Sequence, residues 1–212
     1  MHLWPQLPAG VIGTRHEEMM ARSSEVNIDI TGKSAHAASY QEGCDALETA
    51  CRYLCDLYAM ERQIDPAEYR LLRFGVLRSG SIRNVVSDHA RLEGTMRACR
   101  DEIYDHMRDQ LDAIARRYAP AQFAFSFSEG YPALVNTPQI VDQALQAIPD
   151  MILLDEPQLI TEDFSWYLQH VPGMFMFLGT GTGIPLHSDH FDFDEHILMR
   201  GIEALFSLSK LE

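Results

Sequence analysis

The chain has 212 residues, 46% of them hydrophobic and 23% charged, with a formal net charge of −14. Such a length buries a core in one or two domains, and the acidic surface excludes nucleic acid and anionic membranes as partners, since both would repel it. No apolar run approaches the ~20 residues of a membrane span, and Met1-His2-Leu3-Trp4-Pro5 has neither the basic region nor the apolar core of a signal peptide.

Residues 1–20 hold Pro5, Pro8, Gly10 and Gly13, with no helix or strand leading into them; the segment reads as the inside of a larger protein, and Leu211-Glu212 as an appended pair. Glu17-Glu18 reads as a solvated turn. Residues 25–33 alternate Val26, Ile28 and Ile30 with polar residues, a half-buried strand ended by Gly32. Residues 45–61 place Leu47, Ala50, Leu54 and Leu57 at helical spacing. Strands follow at 71–77 and 90–98, separated by turn formers, then a helix at 101–118 striped by Ile103, Met107, Leu111, Ile114 and Tyr118. Phe123, Phe125 and Phe127 alternate in a strand at 122–128. The order strand, helix, strand, strand, helix, strand predicts a ferredoxin-like unit, a four-stranded antiparallel sheet with two helices on one face.

Beyond Pro132 the pattern becomes α/β. Helices are predicted at 138–147, 162–170 and 195–208, and the apolar run 173–179 suits a strand covered on both faces. The alternation of Met174 and Met176 with Phe175 and Phe177 reads as core. The shifts near Ser23 and Pro132 predict an inserted domain, 23–132, within an incomplete one made of 1–22 and 133–212. Cys44, Cys51, Cys55 and Cys99 are too few and too unevenly placed for a disulfide framework, which points to reduced cysteines in a cytoplasmic protein.

The stretch Ile184–Glu195 concentrates chemistry. It holds His187, His190 and four acidic residues just after Gly179–Gly183. Imidazole and carboxylate are ordinary ligands of zinc-like metals. Equally, Asp192, Asp194 and Glu195 suit a helix N-terminus, where the macrodipole favours anions. His190 and His196 read as surface residues. Asp163 reads as a helix N-cap, and Glu162 as a hydrogen-bonding partner for a metal-bound histidine. Arg97 suits a substrate carboxylate or a surface ion pair.

Several segments together resemble the M20 metallopeptidase and amidohydrolase family, in its aminoacylase-like branch. They are His2-Leu3-Trp4-Pro5 through Gly13-Thr14-Arg15, Gly32-Lys33-Ser34-Ala35-His36-Ala37-Ala38, Asn84-Val85-Val86-Ser87-Asp88 and Leu92-Glu93-Gly94-Thr95-Met96-Arg97. Tyr131-Pro132-Ala133-Leu134-Val135-Asn136, Glu162-Asp163-Phe164-Ser165 and Pro185-Leu186-His187-Ser188 continue them in order. The resemblance implies that 23–132 is a lid and dimerisation domain in a partial zinc-peptidase-like α/β catalytic domain. It implies metal-ligand roles for His2 and His187, a catalytic role for His36 on the partner subunit's substrate, and substrate contact for Asn84. Ser34-Ala35 stands where the family has a glycine pair.

The family's first ligand pair and its general-base glutamate have no counterpart here. The expectation is therefore the C-terminal part of an amidohydrolase that cleaves N-acyl amino acids or small peptides with a metal-activated water. The intact enzyme would use two divalent ions (Zn, Mn, Co or Ni), while this chain alone would be inactive and could hold none. A homodimer through the lid is implied. The alternative is a non-catalytic dimerisation or binding module that retains the fold.

Overall fold

Tertiary pairing turns the proline- and glycine-rich start of the chain into strand. In the computed structural model, which describes residues 1–211 and so leaves Glu212 of the closing pair outside the described residues, the chain opens with β1 (His2–Trp4), β2 (Ile12–Thr14) and β3 (Glu17–Met20). Ile12 and Met19 are fully buried, and the three strands pair with partners drawn from residues 134–179, which local propensity cannot announce. Glu17-Glu18 is accordingly not a free turn: Glu17 enters β3 at φ 59° and pairs with Asn136, and Glu18 pairs with Val135.

The chain continues through β4 (Arg22–Thr31), α1 (Ala46–Gln63), β5 (Arg70–Ser79), β6 (His89–Ala98), α2 (Asp101–Ala115) and β7 (Gln122–Phe127). It ends with β8 (Leu134–Asn136), α3 (Pro138–Ala147), β9 (Ile152–Leu153), α4 (Ser165–Leu168), β10 (Phe177–Gly179) and α5 (Ile197–Leu208). The architecture is mixed α/β with several sheets. Two units separate, one of residues 1–20 and 134–212, the other of residues 21–133.

In the unit of residues 21–133, the sheet order is β5-β6-β4-β7 and every pairing is antiparallel. Val26, Ile28 and Ile30 of β4, Leu72 of β5 and Leu92 and Met96 of β6 share one core with Tyr53 and Leu57 of α1 and Met107 and Leu111 of α2. Both helices therefore cover the same face, because each carries a single apolar stripe. Asp45 starts α1 by accepting the N–H groups of Leu47 and Glu48, at 2.9 and 3.2 Å. The Tyr53 hydroxyl donates to the Leu111 carbonyl at 2.9 Å, tying the helices together. Gly130 closes the unit in the left-handed region at φ 63°, and a Cβ there would lie 1.7 Å from the Ser23 carbonyl oxygen.

In the other unit the sheet order is β1-β10-β2-β9, and β3 and β8 form a separate ribbon. The strand expected over 173–179 shortens to Phe177–Gly179, but the apolar run is covered on both faces. Phe175 and Phe177 point into a core with Leu7, Met19 and Leu134, while Met176 and Leu178 point into a second with Ile12, Ala144, Ile148 and Ala204. Asn136, 1% exposed, joins the ribbon to the run. Its Oδ1 accepts the Phe175 N–H at 2.7 Å, and its Nδ2 donates to Phe175 O, Thr14 Oγ1 and Arg15 O.

The helix expected over 162–170 shrinks to the four residues of α4, without an Asp163 side-chain cap: the Phe164 N–H instead points at Glu162 Oε1, 3.5 Å away. The last helix starts at Ile197, and Asp194 receives the His196 N–H at 3.0 Å and its Nδ1 at 2.7 Å. These bonds hold the Asp194 carboxyl below the usual range. Among the described residues no helix is long and apolar enough to cross a membrane.

Candidate functional site

Three of the residues singled out by sequence meet in one cleft of the unit of residues 1–20 and 134–212. It encloses roughly 300 Å³ and is lined by His2, Trp4, Met20, Glu162, Leu186 and His187, among others. β1 runs parallel to β10, which sets His2 opposite Phe177. Beyond β10 the chain turns back through Gly181 and Gly183, both at positive φ. Backbone N–H groups of Thr180, Gly181 and Gly183 donate to the carbonyls of Trp4, Leu7 and Pro5 at 2.8–3.1 Å. These bonds lace the loop after β10 to the loop after β1 and bring His187 to the cleft that His2 lines.

His2 Nδ1 lies 2.8 Å from the Leu3 carbonyl, which can only accept, so Nδ1 carries the proton and Nε2 keeps a lone pair. Burial pushes the Glu162 carboxyl up, helped by a hydrogen bond with Asp163 and opposed by the Phe164 N–H and by His2. Among the described residues, no group of three or more His, Cys, Asp or Glu side chains is arranged to hold a metal ion.

His36 and Asn84 lie side by side in the other unit. The Ala37 N–H donates to the Asn84 carbonyl at 2.9 Å and the Val86 N–H to the Ala35 carbonyl at 2.8 Å, with His36 bridged to Val85 between them. Both side chains are exposed. The Ala38 N–H donates to His36 Nδ1 at 3.2 Å, so the neutral ring carries its proton on Nε2. Arg97 is not brought to them. It faces Ser23 near the far end of β6, about 23 Å of strand from Ala90 at ~3.3 Å per residue, in a groove with Glu25, Thr95 and Tyr131.

His190 and His196 sit on the surface beside Asp189 and Asp194. Sequence reasoning missed the role of Asn136; the only signal was its place at the end of the quoted Tyr131–Asn136 segment.

A model of the peptidase family M20/M25/M40 matches residues 1–210. The chain belongs to this family. It is 32% identical to the N-acetyldiaminopimelate deacetylase of Lacticaseibacillus casei over 97% of its own length and 56% of the relative's. It is 31% identical to thermostable carboxypeptidase 2 of Saccharolobus solfataricus over 96% of its length and 55% of the relative's. The chain thus spans about half the length of the curated relatives it matches. Its fold superposes on a protein of methicillin-resistant Staphylococcus aureus with a TM-score of 0.89 at 21% identity, over 98% of this chain and 56% of that one. A dinuclear metal binding M20 peptidase of Bacillus subtilis superposes with a TM-score of 0.79 at 25% identity, over 99% and 55%.

Proposed function

We propose that the chain supplies the lid and part of the catalytic domain of a metal-dependent amidohydrolase that cleaves the amide bond of N-acyl amino acids or small peptides. The observation that carries this reading is the convergence of His2, Glu162 and His187 on one cleft. The donor chemistry fits a borderline divalent ion such as Zn, Mn, Co or Ni. His2 offers a lone pair on Nε2, and Glu162 is a partly desolvated carboxylate that gains from nearby positive charge. His2 and His187 would hold the ion, with Glu162 orienting them, but two imidazoles fall short of the three protein ligands usual at a catalytic site. Among the described residues no third ligand completes the set. Such an ion supplies Lewis acidity and a water acidified toward neutral pH.

In this reading residues 23–132 are a ferredoxin-like lid inserted between the two parts of a zinc-peptidase-like domain; the all-antiparallel sheet with helices on one face supports it. His36 donates its Nε2–H to the oxyanion that develops at the scissile carbonyl, with Asn84 beside it on the substrate. Losing one such donor costs ~10²–10³ in rate. Arg97, too far along β6 to share a small substrate with His36 of its own chain, takes the carboxylate of a substrate that the partner's His36 serves. Two lids join through an outer strand as a homodimer, which lets His36 serve the partner's site, and the protein works in the cytoplasm. A second reading, a non-catalytic module, is favoured by the lack of a three-ligand group among the described residues.

Titration calorimetry of the full chain with Zn²⁺ or Mn²⁺ separates the two. The first reading expects weak binding that falls about tenfold or more in His2→Ala and in His187→Ala, since each removes one of only two ligands. Binding indifferent to both substitutions, or no binding at all, would support the module instead.

A further inference from the structure

Cations are scarce on this chain, 17 Lys and Arg against 31 Asp and Glu. Among the described residues Lys33, Arg62, Arg78, Arg83 and Arg117 make no ion pair, side-chain hydrogen bond or ring contact. Three of these, Lys33, Arg78 and Arg83, gather at one end of the unit of residues 21–133, and all three are exposed. At that end β4 and β5 finish and β6 begins, with Thr31 opposite His89 and Ser79 opposite Ala90. The same end carries the exposed side chains of His36 and Asn84.

Arg78 occupies an electrostatically poor position. The register of β5 and β6 sets it directly opposite Arg91, and like charges so placed repel. Arg91 is answered by Asp29 at 2.6 Å and by Glu93 at 2.8 Å, so the charge left without a counterpart is that of Arg78. Both arginines line a cavity of roughly 490 Å³ walled by the loop between β5 and β6. In that loop Gly80 takes φ 74°, and Ser87 Oγ accepts its N–H at 3.1 Å and lies 2.8 Å from Ser79 Oγ, which fixes the wall. Ile82, Val85 and Val86 give the cavity apolar lining, and Asp88 is the one carboxylate among its lining residues.

We propose that this cavity is a subsite for a small organic anion, a carboxylate on a short apolar stem, with Arg78 as its main partner. A guanidinium binds a carboxylate through two parallel hydrogen bonds, and an anion beside Arg78 and Arg91 would also relieve their repulsion. The apolar lining favours a stem over a bare inorganic ion, whose hydration such a wall does not replace. The position of the cavity identifies the molecule that carries the anion. Val85 of its wall is bridged to His36, the donor to the scissile carbonyl in the amidohydrolase reading. A substrate served by His36 would reach Arg78 of the same chain with a second carboxylate, leaving its first for Arg97 of the other chain. The substrate class is then an N-acyl dicarboxylic amino acid. That assignment rests on the amidohydrolase reading; the anion site does not.

The test titrates the full chain, labelled with ¹⁵N, with three probes: N-acetyl-L-glutamate, N-acetyl-L-glutamine (the same stem without the second charge) and inorganic phosphate. N-acetyl-L-glutamate should shift the amide signals of Gly80, Val85 and Val86 and bind about tenfold or more tightly than N-acetyl-L-glutamine. Arg78→Gln should remove that difference, Arg78→Lys should keep part of it, and Arg62→Gln, at an exposed cation on α1, should leave it intact. Melting of Arg78→Gln should stay level or rise, since a repulsion is lost. If that variant does not fold, the wild-type chain decides: its preference should vanish, and the same three amides return, as NaCl is raised to ~0.5 M. Equal binding of the two amino acids, shifts confined to other residues, or an unchanged preference in Arg78→Gln overturns the site. Phosphate that binds as tightly as N-acetyl-L-glutamate overturns the organic anion. Kinetics of an assembled enzyme are read separately. There Arg78→Gln should raise KM for N-acetyl-L-glutamate about tenfold or more and leave N-acetyl-L-glutamine unchanged. An active assembly with KM unmoved would overturn the substrate class, and one inactive on both would end the amidohydrolase reading and leave the anion site standing.

Discussion

Two residues show how much a single position can carry. Gly130 holds φ 63° with the Ser23 carbonyl where a Cβ would stand, so Gly130→Ala should cost at least ~1–2 kcal/mol; urea denaturation of the two proteins measures it, and equal midpoints would refute the requirement. Tyr53 and Tyr118 make a pH prediction. Burial pushes the Tyr53 hydroxyl up, and burial with a hydrogen bond to Asp56 pushes Tyr118 up to about 12. In both the neutral form is the one folding favours. Their contribution is complete below the ordinary tyrosine range near pH 10 and is lost as pH climbs from there toward about 12. A 295 nm titration should show two of the eight tyrosines ionising late and together with unfolding. Early, independent ionisation of all eight would contradict the buried geometry.

At the scale of elements, the two units are stabilised differently. The unit of residues 21–133 relies on one apolar layer between sheet and helices, and Leu57, fully buried against it, should cost ~2–5 kcal/mol on replacement by alanine. The other unit depends on a polar knot. Asn136 satisfies both backbone groups of Phe175 as a neighbouring strand would, so Asn136→Leu leaves the buried Phe175 N–H unpaired at ~1–3 kcal/mol, while the Phe175 carbonyl keeps the Thr14 hydroxyl. Hydrogen exchange gives the contrast: Leu57→Ala should accelerate exchange across β4 and β6, and Asn136→Leu across β8 and β10. A global, uniform loss of protection in both variants would mean that the units do not unfold as separate elements.

For the molecule as a whole, the incomplete ligand set predicts that this chain alone, supplied with Zn²⁺ or Mn²⁺, hydrolyses N-acetyl amino acids at background rate. Turnover that vanishes in His187→Ala would show that the cleft is already complete. In an assembled enzyme, His36→Ala should lower kcat by ~10²–10³ while metal content stays constant, since Nε2–H is a donor and not a ligand. A proportional loss of metal would place His36 in the wrong role.

The sequence by itself determined what short-range periodicity encodes. Val26, Ile28 and Ile30 named the buried face of β4, the stripe through Leu111 and Ile114 named that of α2, and the unbroken run 173–179 announced burial on both faces, though not that only its last three residues pair as strand. The ordered segments carrying His2, His36 and His187 were enough for the family. Tertiary structure alone decided the rest, because the deciding interactions join residues far apart in the chain. Residues 1–20 become strands only through partners beyond residue 133. Asp163 gives way to Glu162 as the acceptor at α4 because its neighbours, and not its type, set the hydrogen bond. Arg97 is carried away from His36 to the other end of β6 by the strand itself. His2 and His187, 185 positions apart in the numbering, share a cleft because parallel pairing of β1 with β10 and the laced loops behind it leave them no other place.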